Sequence, residues 1–464
     1  MAQQDQRRRR DRLAADCVRL GKYVTQRTGP TSIVEAFEEG YAHKDMKRRD
    51  CDHSLRKSEL DKRKTRFKKE KEKRKKRGGQ SDTDATADLA DTDGKAQNTN
   101  MTSALFKNIL PTGTELDLLA EESAISSHSL ELKKDGENLQ EEKKLLESEQ
   151  AAHLKEFRRC QSEDHSRFIK DLPCLSQRYL LTSLLGRGGF SEVWKAYDLF
   201  ELKDVAVKVH QLNNAWTDER KQSYIKHVTR EYTIHKDMRH PRVVSQIGVF
   251  EIDENSFATV LEYCRGTDLD EKLKRCKTLP EKDARTILMQ ILSGLRYLNN
   301  PSNEGGGSSS TTRKSIIHYD LKPANILFDE MGDAKITDFG LSKIMDSSCE
   351  GTSMELTSVG AGTYWYLPPE CFEENPRISI KVDVWSVGVI LYQMLFGKRP
   401  FGEGHSQERI LSEGIIRNAT QVEFPDTPKV SEDVKAFVRL CLTRDPNLRP
   451  DISELCRDPY IIPH

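Results

Sequence analysis

The octapeptide HYDLKPAN, residues 318–325, followed by the triplet Asp338-Phe339-Gly340, most constrains what this chain can fold into. It sets a carboxylate (Asp320), an ammonium (Lys322) and a carboxamide (Asn325) in one short segment, with a second carboxylate (Asp338) close behind. Side chains of such different chemistry need a large folded body to hold them in place. The 464 residues exceed one ordinary domain and their composition is uneven, so one large folded unit and a long non-globular arm are expected. The 74 basic and 74 acidic residues cancel, yet the basic ones crowd roughly the first eighty positions and the acidic ones the next seventy, so segregation informs where the sum does not. Ten cysteines are scattered from Cys17 to Cys456 without a CxxC pair or metal-ligand spacing. That argues against a disulfide framework or zinc site and fits a reducing compartment. No apolar run approaches the roughly 20 residues that span a bilayer. The arginine-rich start is too polar for a secretory signal, so a soluble, intracellular protein with no membrane partner is expected.

The arm divides by composition. Residues 1–55 open with Gln3, Gln4 and the run Arg7 to Arg10, then mix charge with isolated Leu, Val and Tyr. They leave room for one amphipathic helix, which Gly29 and Pro30 would end. Residues 56–77, RKSELDKRKTRFKKEKEKRKKR, hold 14 basic and four acidic side chains among 22. Such a cluster reads as a nuclear-import signal or a nucleic-acid patch, and equally as a solvated charged face. Phe67 is its one aromatic, so any nucleic-acid contact would be weak, salt-sensitive and nonspecific; import is the preferred functional reading. Residues 78–114 begin with a Gly-, Ser-, Thr-, Asp- and Gln-rich stretch that has almost nothing to bury, and a disordered linker is expected. In residues 115–165, Leu118, Ile125, Leu132, Leu139 and Leu146 recur at sevens, the period of a coiled-coil seam. The second seam position is mostly polar, and Gly136, Ser126, Ser127 and Ser129 cost helix stability. A helix with a weak coiled coil is expected there. It would form a homodimer or bind a partner, or else pack as a single charged helix against its own folded domain.

Ahead of the octapeptide, an apolar strand over 179–185 leads into Gly186-Arg187-Gly188-Gly189-Phe190-Ser191 and a second strand over 192–196. Glycine lets a tight hairpin lie against triphosphate oxygens with its N–H groups exposed, although tight hairpins need glycine in any case. Val205-Ala206-Val207-Lys208 follows, then a charged helical stretch carrying Glu231 before His240-Pro241. Either charge alone would read as a surface ion pair. In this order, ending in HYDLKPAN and Asp338-Phe339-Gly340, the motifs resemble those of protein kinases. The resemblance implies an α+β, bilobal kinase fold over 178–464, with a small β-rich N-lobe and a large α-helical C-lobe. It implies ATP and Mg2+ as cofactors.

By position in that order, Gly186, Gly188 and Gly189 cover the phosphates, and Lys208, directed by Glu231, holds the α- and β-phosphates. Val193 and Ala206 face the adenine ring, Leu261 guards the back of its pocket, Glu262 to Cys264 offer backbone hydrogen bonds, and Asp268 is placed to take a ribose hydroxyl. Packing alone would also explain Val193 and Ala206. Asp320 accepts the substrate hydroxyl proton, Lys322 neutralises the transferring phosphoryl group, and Asn325 and Asp338 hold metal. His235 is expected in the core between the lobes, Asp383 on the catalytic-loop backbone, and Glu370 paired with Arg449. The insertion of glycines and serines after Pro301 is a tolerated surface loop. Lys322 with Thr363 ahead of Pro368-Pro369-Glu370 is the serine/threonine pattern. Where regulated kinases carry arginine, Tyr319 precedes the catalytic aspartate and offers no cationic grip for a phosphorylated activation loop. Activation is expected to rely less on phosphates at Ser347, Ser348, Thr352, Ser353, Thr357 or Ser358 and more on assembly through the arm.

The runs RYLLTSLLGRGGFSEVWKAYDL from Arg178, VAVKVHQLN from Val205, HYDLKPAN with its Tyr319, ITDFGLSKIM from Ile336 and ELTSVGAGTYWYLPPECF from Glu355 are similar to the Tousled-like serine/threonine kinases. Residues 154–168, LKEFRRCQSEDHSRF, resemble the helix ahead of the catalytic domain in that family. The resemblance implies a nuclear kinase acting in chromatin assembly, with the anti-silencing histone chaperone and histone H3 as substrates. The rival readings are a catalytically silent kinase-fold scaffold, against which intact Lys208, Asp320, Asn325 and Asp338 speak, and a chromatin tether built on the basic arm.

Overall fold

The structure is a computed structural model that describes residues 2–27, 33–77, 115–171, 173–188, 191–213, 215–299, 315–344, 354–355 and 362–462. Two compact units, Met1–Gln161 and Ser162–His464, make up the chain.

In the first unit, helix Ala2–Arg19 leads into an antiparallel hairpin of Gly21–Arg27 and Ile33–Glu39. The single helix expected early in the chain thus gives way to strands. Both segments gather β-branched and aromatic residues that favour a pleated surface, and the register sets Tyr23 opposite Phe37, rings edge-on at 5.6 Å. Gly29 and Pro30, assigned as a helix end, lie outside the described residues. The basic run lies on helix Tyr41–Arg77, antiparallel to the long helix Glu115–His165. Arg49 pairs with Glu142 at 2.6 Å, the His53 ring with the Leu132 carbonyl at 2.9 Å, and the Arg63 guanidinium forks onto Glu121 at 2.6 and 2.7 Å. Leu60, Ile125 and Leu146 are buried and Leu118, Leu132 and Leu139 half-buried, so the seven-residue repeat faces this intrachain neighbour. Gly136 does not interrupt the helix: a Cβ there would meet the His53 ring at 3.1 Å, and glycine lets that ring approach. The linker expected over 78–114 lies outside the described residues.

The second unit has two lobes. Its six-stranded antiparallel sheet runs, edge to edge, Cys174–Leu175, Tyr179–Arg187, Ser191–Asp198, Lys203–Gln211, Ser256–Glu262 and Gln246–Asp253. Period-two alternation buries Trp194, Ala196, Val205, Val207, Val209, Ala258 and Val260 in one cluster. Helix Asp218–His235 follows the Lys208 strand. The other lobe is built around Lys381–Phe396, KVDVWSVGVILYQMLF, apolar nearly all round and buried nearly throughout, as a central core helix must be. Helices Glu281–Asn299 and Glu432–Cys441 pack into the same core. The loop expected after Pro301 lies outside the described residues.

Residues 162–171 belong to the sheet lobe. Glu163 accepts the Leu184 N–H at 2.9 Å, Ser166 donates to Glu192 at 2.7 Å, and Arg167 reaches Asp253 at 2.7 Å. Phe168, 1% exposed, completes the sheet's core. Truncating a buried phenylalanine removes apolar area and leaves a cavity. Phe168→Ala is therefore expected to destabilise this unit by about 3 kcal/mol, read as a lowered denaturation midpoint by tryptophan fluorescence; an unchanged midpoint would show that the segment is not part of the core.

Candidate active site

The catalytic loop hangs from one buried carboxylate. Asp383, on the central helix and 0% exposed, accepts the backbone N–H of His318 at 2.8 Å and of Tyr319 at 2.9 Å. Burial pushes its carboxyl above the usual carboxylate range, against the pull of His318 and the two N–H donors. So held, the loop brings Asp320, Lys322 and Asn325 together. Lys322 Nζ donates to Asp320 Oδ2 at 2.6 Å and to the Thr363 hydroxyl at 3.1 Å, and Thr363 donates to Asp320 Oδ1 at 3.0 Å. Asn325 spends its Nδ2 on the Asp320 carbonyl at 2.8 Å, which points its oxygen elsewhere. The Thr337 N–H meets the Asn325 carbonyl at 3.0 Å, tying the residue before Asp338 to the loop.

Lys208 joins the two lobes. Its ammonium lies 3.1 Å from Glu231 Oε1 and 3.2 Å from Asp338 Oδ1. Burial opposes the charge, but Asp338 and Glu231 together outweigh it and hold the lysine above its ordinary pKa. Lys208 in turn holds the Asp338 carboxyl below the usual range. Asp338 sits at φ +66°, a left-handed backbone that sends its side chain to the cation and Phe339 inward. Phe339 is 0% exposed between the His235 ring at 4.6 Å and the His318 ring at 5.1 Å. His235 donates to the Val244 carbonyl, and burial pushes its pKa down to about 4. A cavity of about 280 Å³ opens here, lined by Ser191, Lys208, His210, Glu231, Asp320 and Asp338 among others.

None of the remaining predicted residues that are described lines this cavity. Gly186 pairs with Val193 beside a bulge, and the Gly188 N–H donates to the Ser191 carbonyl at 2.7 Å; Gly189 lies outside the described residues. Ala206 pairs across the sheet with Leu261. Glu262 has its N–H on Ser245 and its carboxylate on Lys335 at 2.5 Å, so only its carbonyl could serve a base. Cys264 is buried, its thiol pushed up to about 12 by that burial. Asp268 caps helix Leu269–Cys276, one oxygen accepting the Glu271 N–H at 2.7 Å, which leaves the other for a ribose. Glu370 and Arg449 form a fork at 2.7 and 3.1 Å with the guanidinium fully buried.

Sequence reasoning missed what lies behind the glycine hairpin. Glu163 binds its first strand and Ser166 the Glu192 of its second. Both residues lie in the 154–168 stretch whose family resemblance was legible, but nothing in it marked a contact with the hairpin. Tyr319, 1% exposed, fills an apolar cluster with Ile317, Leu367, Cys371, Ile378 and Val382. Burial, with the Cys371 thiol as hydrogen-bond partner, pushes its hydroxyl far above the phenol range. Gly362 approaches the ring closely, where a Cβ would lie 3.6 Å from it. The activation-segment hydroxyls Ser347, Ser348, Thr352, Ser353, Thr357 and Ser358 lie outside the described residues.

Residues 179–461 match the family model for the protein kinase domain. The chain is 44% identical over 463 residues to serine/threonine-protein kinase tousled-like 1 of Mus musculus, covering 98% of this chain and 58% of that protein. It is 53% identical over 341 residues to serine/threonine-protein kinase tousled-like 2 of Xenopus tropicalis, covering 72% and 47%. With serine/threonine-protein kinase TOUSLED of Arabidopsis thaliana the identity is 45% over 455 residues, covering 97% and 60%. The chain thus spans about half the length of the curated relatives it matches. No helix among the described residues is long and apolar enough to cross a membrane.

Two outcomes follow from this geometry. An arginine at position 319 would place a cation among apolar side chains, so Tyr319→Arg is expected to lower stability by about 3 kcal/mol or more. Tyr319→Phe, which loses one buried hydrogen bond, should cost about 1 kcal/mol; equal melting temperatures for Tyr319→Arg and the parent would refute the packing account. His235 has a folded pKa of about 4 against an ordinary 6.5, so below pH 6.5 the unfolded chain takes up a proton that the native one refuses. Stability must fall as pH drops from 6.5 toward 4, by about 1.4 kcal/mol per pH unit for this residue. Above pH 6.5 it contributes no slope. His235→Leu should flatten the melting temperature between pH 6.5 and 5 relative to the parent, and an equally steep decline would count against the assignment.

Proposed function

The chain belongs to the Tousled-like branch of the serine/threonine protein kinases, and we propose that it transfers the γ-phosphoryl group of ATP to serine and threonine hydroxyls of proteins. The observation that carries this reading is the Lys208 bridge to both Glu231 and Asp338, with Asp320 and Lys322 converging on one hydroxyl, that of Thr363. That ammonium is positioned for the α- and β-phosphates once a nucleotide separates it from Asp338. The substrate hydroxyl gives its proton to Asp320 as its oxygen bonds to the γ-phosphorus, and the bond from that phosphorus to the β-bridging oxygen breaks, releasing ADP. Lys322 neutralises the equatorial oxygens in passage. Positioning and charge compensation supply most of such a rate, since the bond changes themselves need little covalent help.

Asn325 and Asp338 fit Mg2+. They offer hard oxygen donors with few other claims on them, and magnesium takes one or two carboxylates and fills its remaining positions with water and substrate phosphates. When bound, the ion would neutralise phosphate charge. The finer reading is a nuclear enzyme of chromatin assembly, with the anti-silencing histone chaperone and histone H3 as substrates. It rests on the family resemblance alone.

Phosphoryl transfer from ATP to a purified histone chaperone or to H3 tests the reading. Asp320→Ala should lower kcat at least about a hundredfold with the fold intact by thermal melt, and Lys208→Met should do likewise. Parent activity on neither protein, with transfer to a general serine peptide retained, would remove the chromatin reading and leave the kinase. No transfer to any acceptor would favour the silent scaffold.

A further inference from the structure

Helix Tyr41–Arg77 divides its cations between two faces. Arg49, Arg63, Lys64 and Lys71 point to the neighbouring helix, where Glu142, Glu121, Ser129 and Glu122 receive them. Leu60, buried, and His53 mark the same side. At 3.6 residues per turn these six positions fall within about 100° of one another. Lys62, Arg66, Lys69 and Lys73, spaced by four, three and four, fall within about 60° of one another on the opposite side. All four are exposed, and among the described residues none makes an ion pair. Pairing has therefore sorted a mixed basic run into a neutralised inner face and a free cationic outer stripe, about 16 Å long.

The stripe's chemistry narrows its partner. Protein interfaces draw their energy from buried aromatic and aliphatic side chains, and this stripe presents none between Lys62 and Lys73. Phe67 lies on the inner side, half-buried with Lys71 5.9 Å from its ring, so single-stranded bases have nothing to stack on. Four cations along about 16 Å of helix can lie beside a rigid row of phosphates, of which one duplex strand sets about five over that length at about 3.4 Å each. Glu59 and Glu70 border one edge and Glu72 the other, and Glu70 has an interaction of its own. We infer that the Lys62, Arg66, Lys69 and Lys73 stripe lies along the phosphate backbone of duplex DNA and binds it without reading sequence. This surface is independent of the kinase chemistry, and its test does not involve phosphoryl transfer.

The full chain is titrated by fluorescence anisotropy with a labelled 20-base-pair duplex at several salt concentrations. Four phosphate contacts predict a log-affinity against log-salt slope near −3.6. Arg66→Gln with Lys69→Gln should make that slope shallower by about two. Lys57→Gln with Lys68→Gln removes the same charge from exposed positions on the same helix but off the stripe, and should leave the slope within about half a unit of the parent. Glutamine keeps helix propensity near that of lysine, and matching far-ultraviolet circular dichroism checks the fold. Equal losses in the two double variants would reduce the effect to net charge and overturn the stripe. So would absence of binding at low salt, or displacement by polyglutamate as effectively per charge as by unlabelled duplex, which would make the surface a general acidic-peptide site.

Discussion

The rest of the second unit depends on a carboxylate without access to solvent. Asp383 sits in the middle of the lobe on a helix that cannot shift without breaking the core. A charge so placed is costly unless it is hydrogen-bonded, and the two N–H groups it accepts are those of the catalytic loop. The cost of the buried charge is thereby converted into position. Tyr319 sits at φ +68°, a conformation that an L-residue adopts at a cost of about 1 kcal/mol and keeps only when its surroundings impose it. Both N–H groups converge on one side chain because of that turn, and the next residue, Asp320, is aimed outward by it.

The second constraint is that no single element owns the reacting geometry. Lys208 comes from a strand, Glu231 from a helix and Asp338 from a loop after the other lobe's small hairpin, and one ammonium touches both carboxylates. Phe339 maintains the spacing by filling the gap between His235, one turn beyond Glu231, and His318 of the catalytic loop. Displacing the helix would therefore remove a charge partner and a packing partner together. The glycine hairpin has its own support from behind: residues ahead of the domain hold both its strands, through the Leu184 N–H and the Glu192 carboxylate. The glycine hairpin is thus positioned from outside the 179–461 region that the family model covers.

What could be read from the sequence was whatever chemistry forces into fixed type and spacing. Asp320, Lys322, Asn325, Asp338 and Lys208 were legible because their types and intervals resemble the kinase motifs, and Glu370 with Arg449 by their places in the same resemblance. What was missed depends on partners distant in the chain. Arg63 and Glu121 are 58 positions apart, and nothing local announces that the seven-residue repeat is met by the basic helix. Gly136 looked like a weakness until His53 was found against it. The strands of the first unit were hidden by charge, since Lys22, Glu35 and Glu38 dilute a β pattern that Tyr23, Val24, Phe37 and Ala36 carry. Asp268 did carry a readable signal: an aspartate three positions before Glu271 at a helix start is a cap, and the nucleotide reading overshadowed it.

Tyr319 joins the catalytic loop to the segment that follows Asp338-Phe339-Gly340, and it does so by packing. An exposed arginine at that position could respond to a phosphate, whereas a tyrosine buried among Leu367, Cys371, Ile378 and Val382 cannot. Burying such a ring contributes about 2 kcal/mol, present whether or not a nearby hydroxyl is modified. The segment's two described ends are fixed by similar means. Ile344 pairs with Ile316 beside the catalytic loop, and Gly362 lies against the Tyr319 ring itself, with Glu370 locked onto Arg449 a few residues beyond. A covalent change between those ends acts on a stretch whose boundaries are already held by apolar contacts and one internal ion pair.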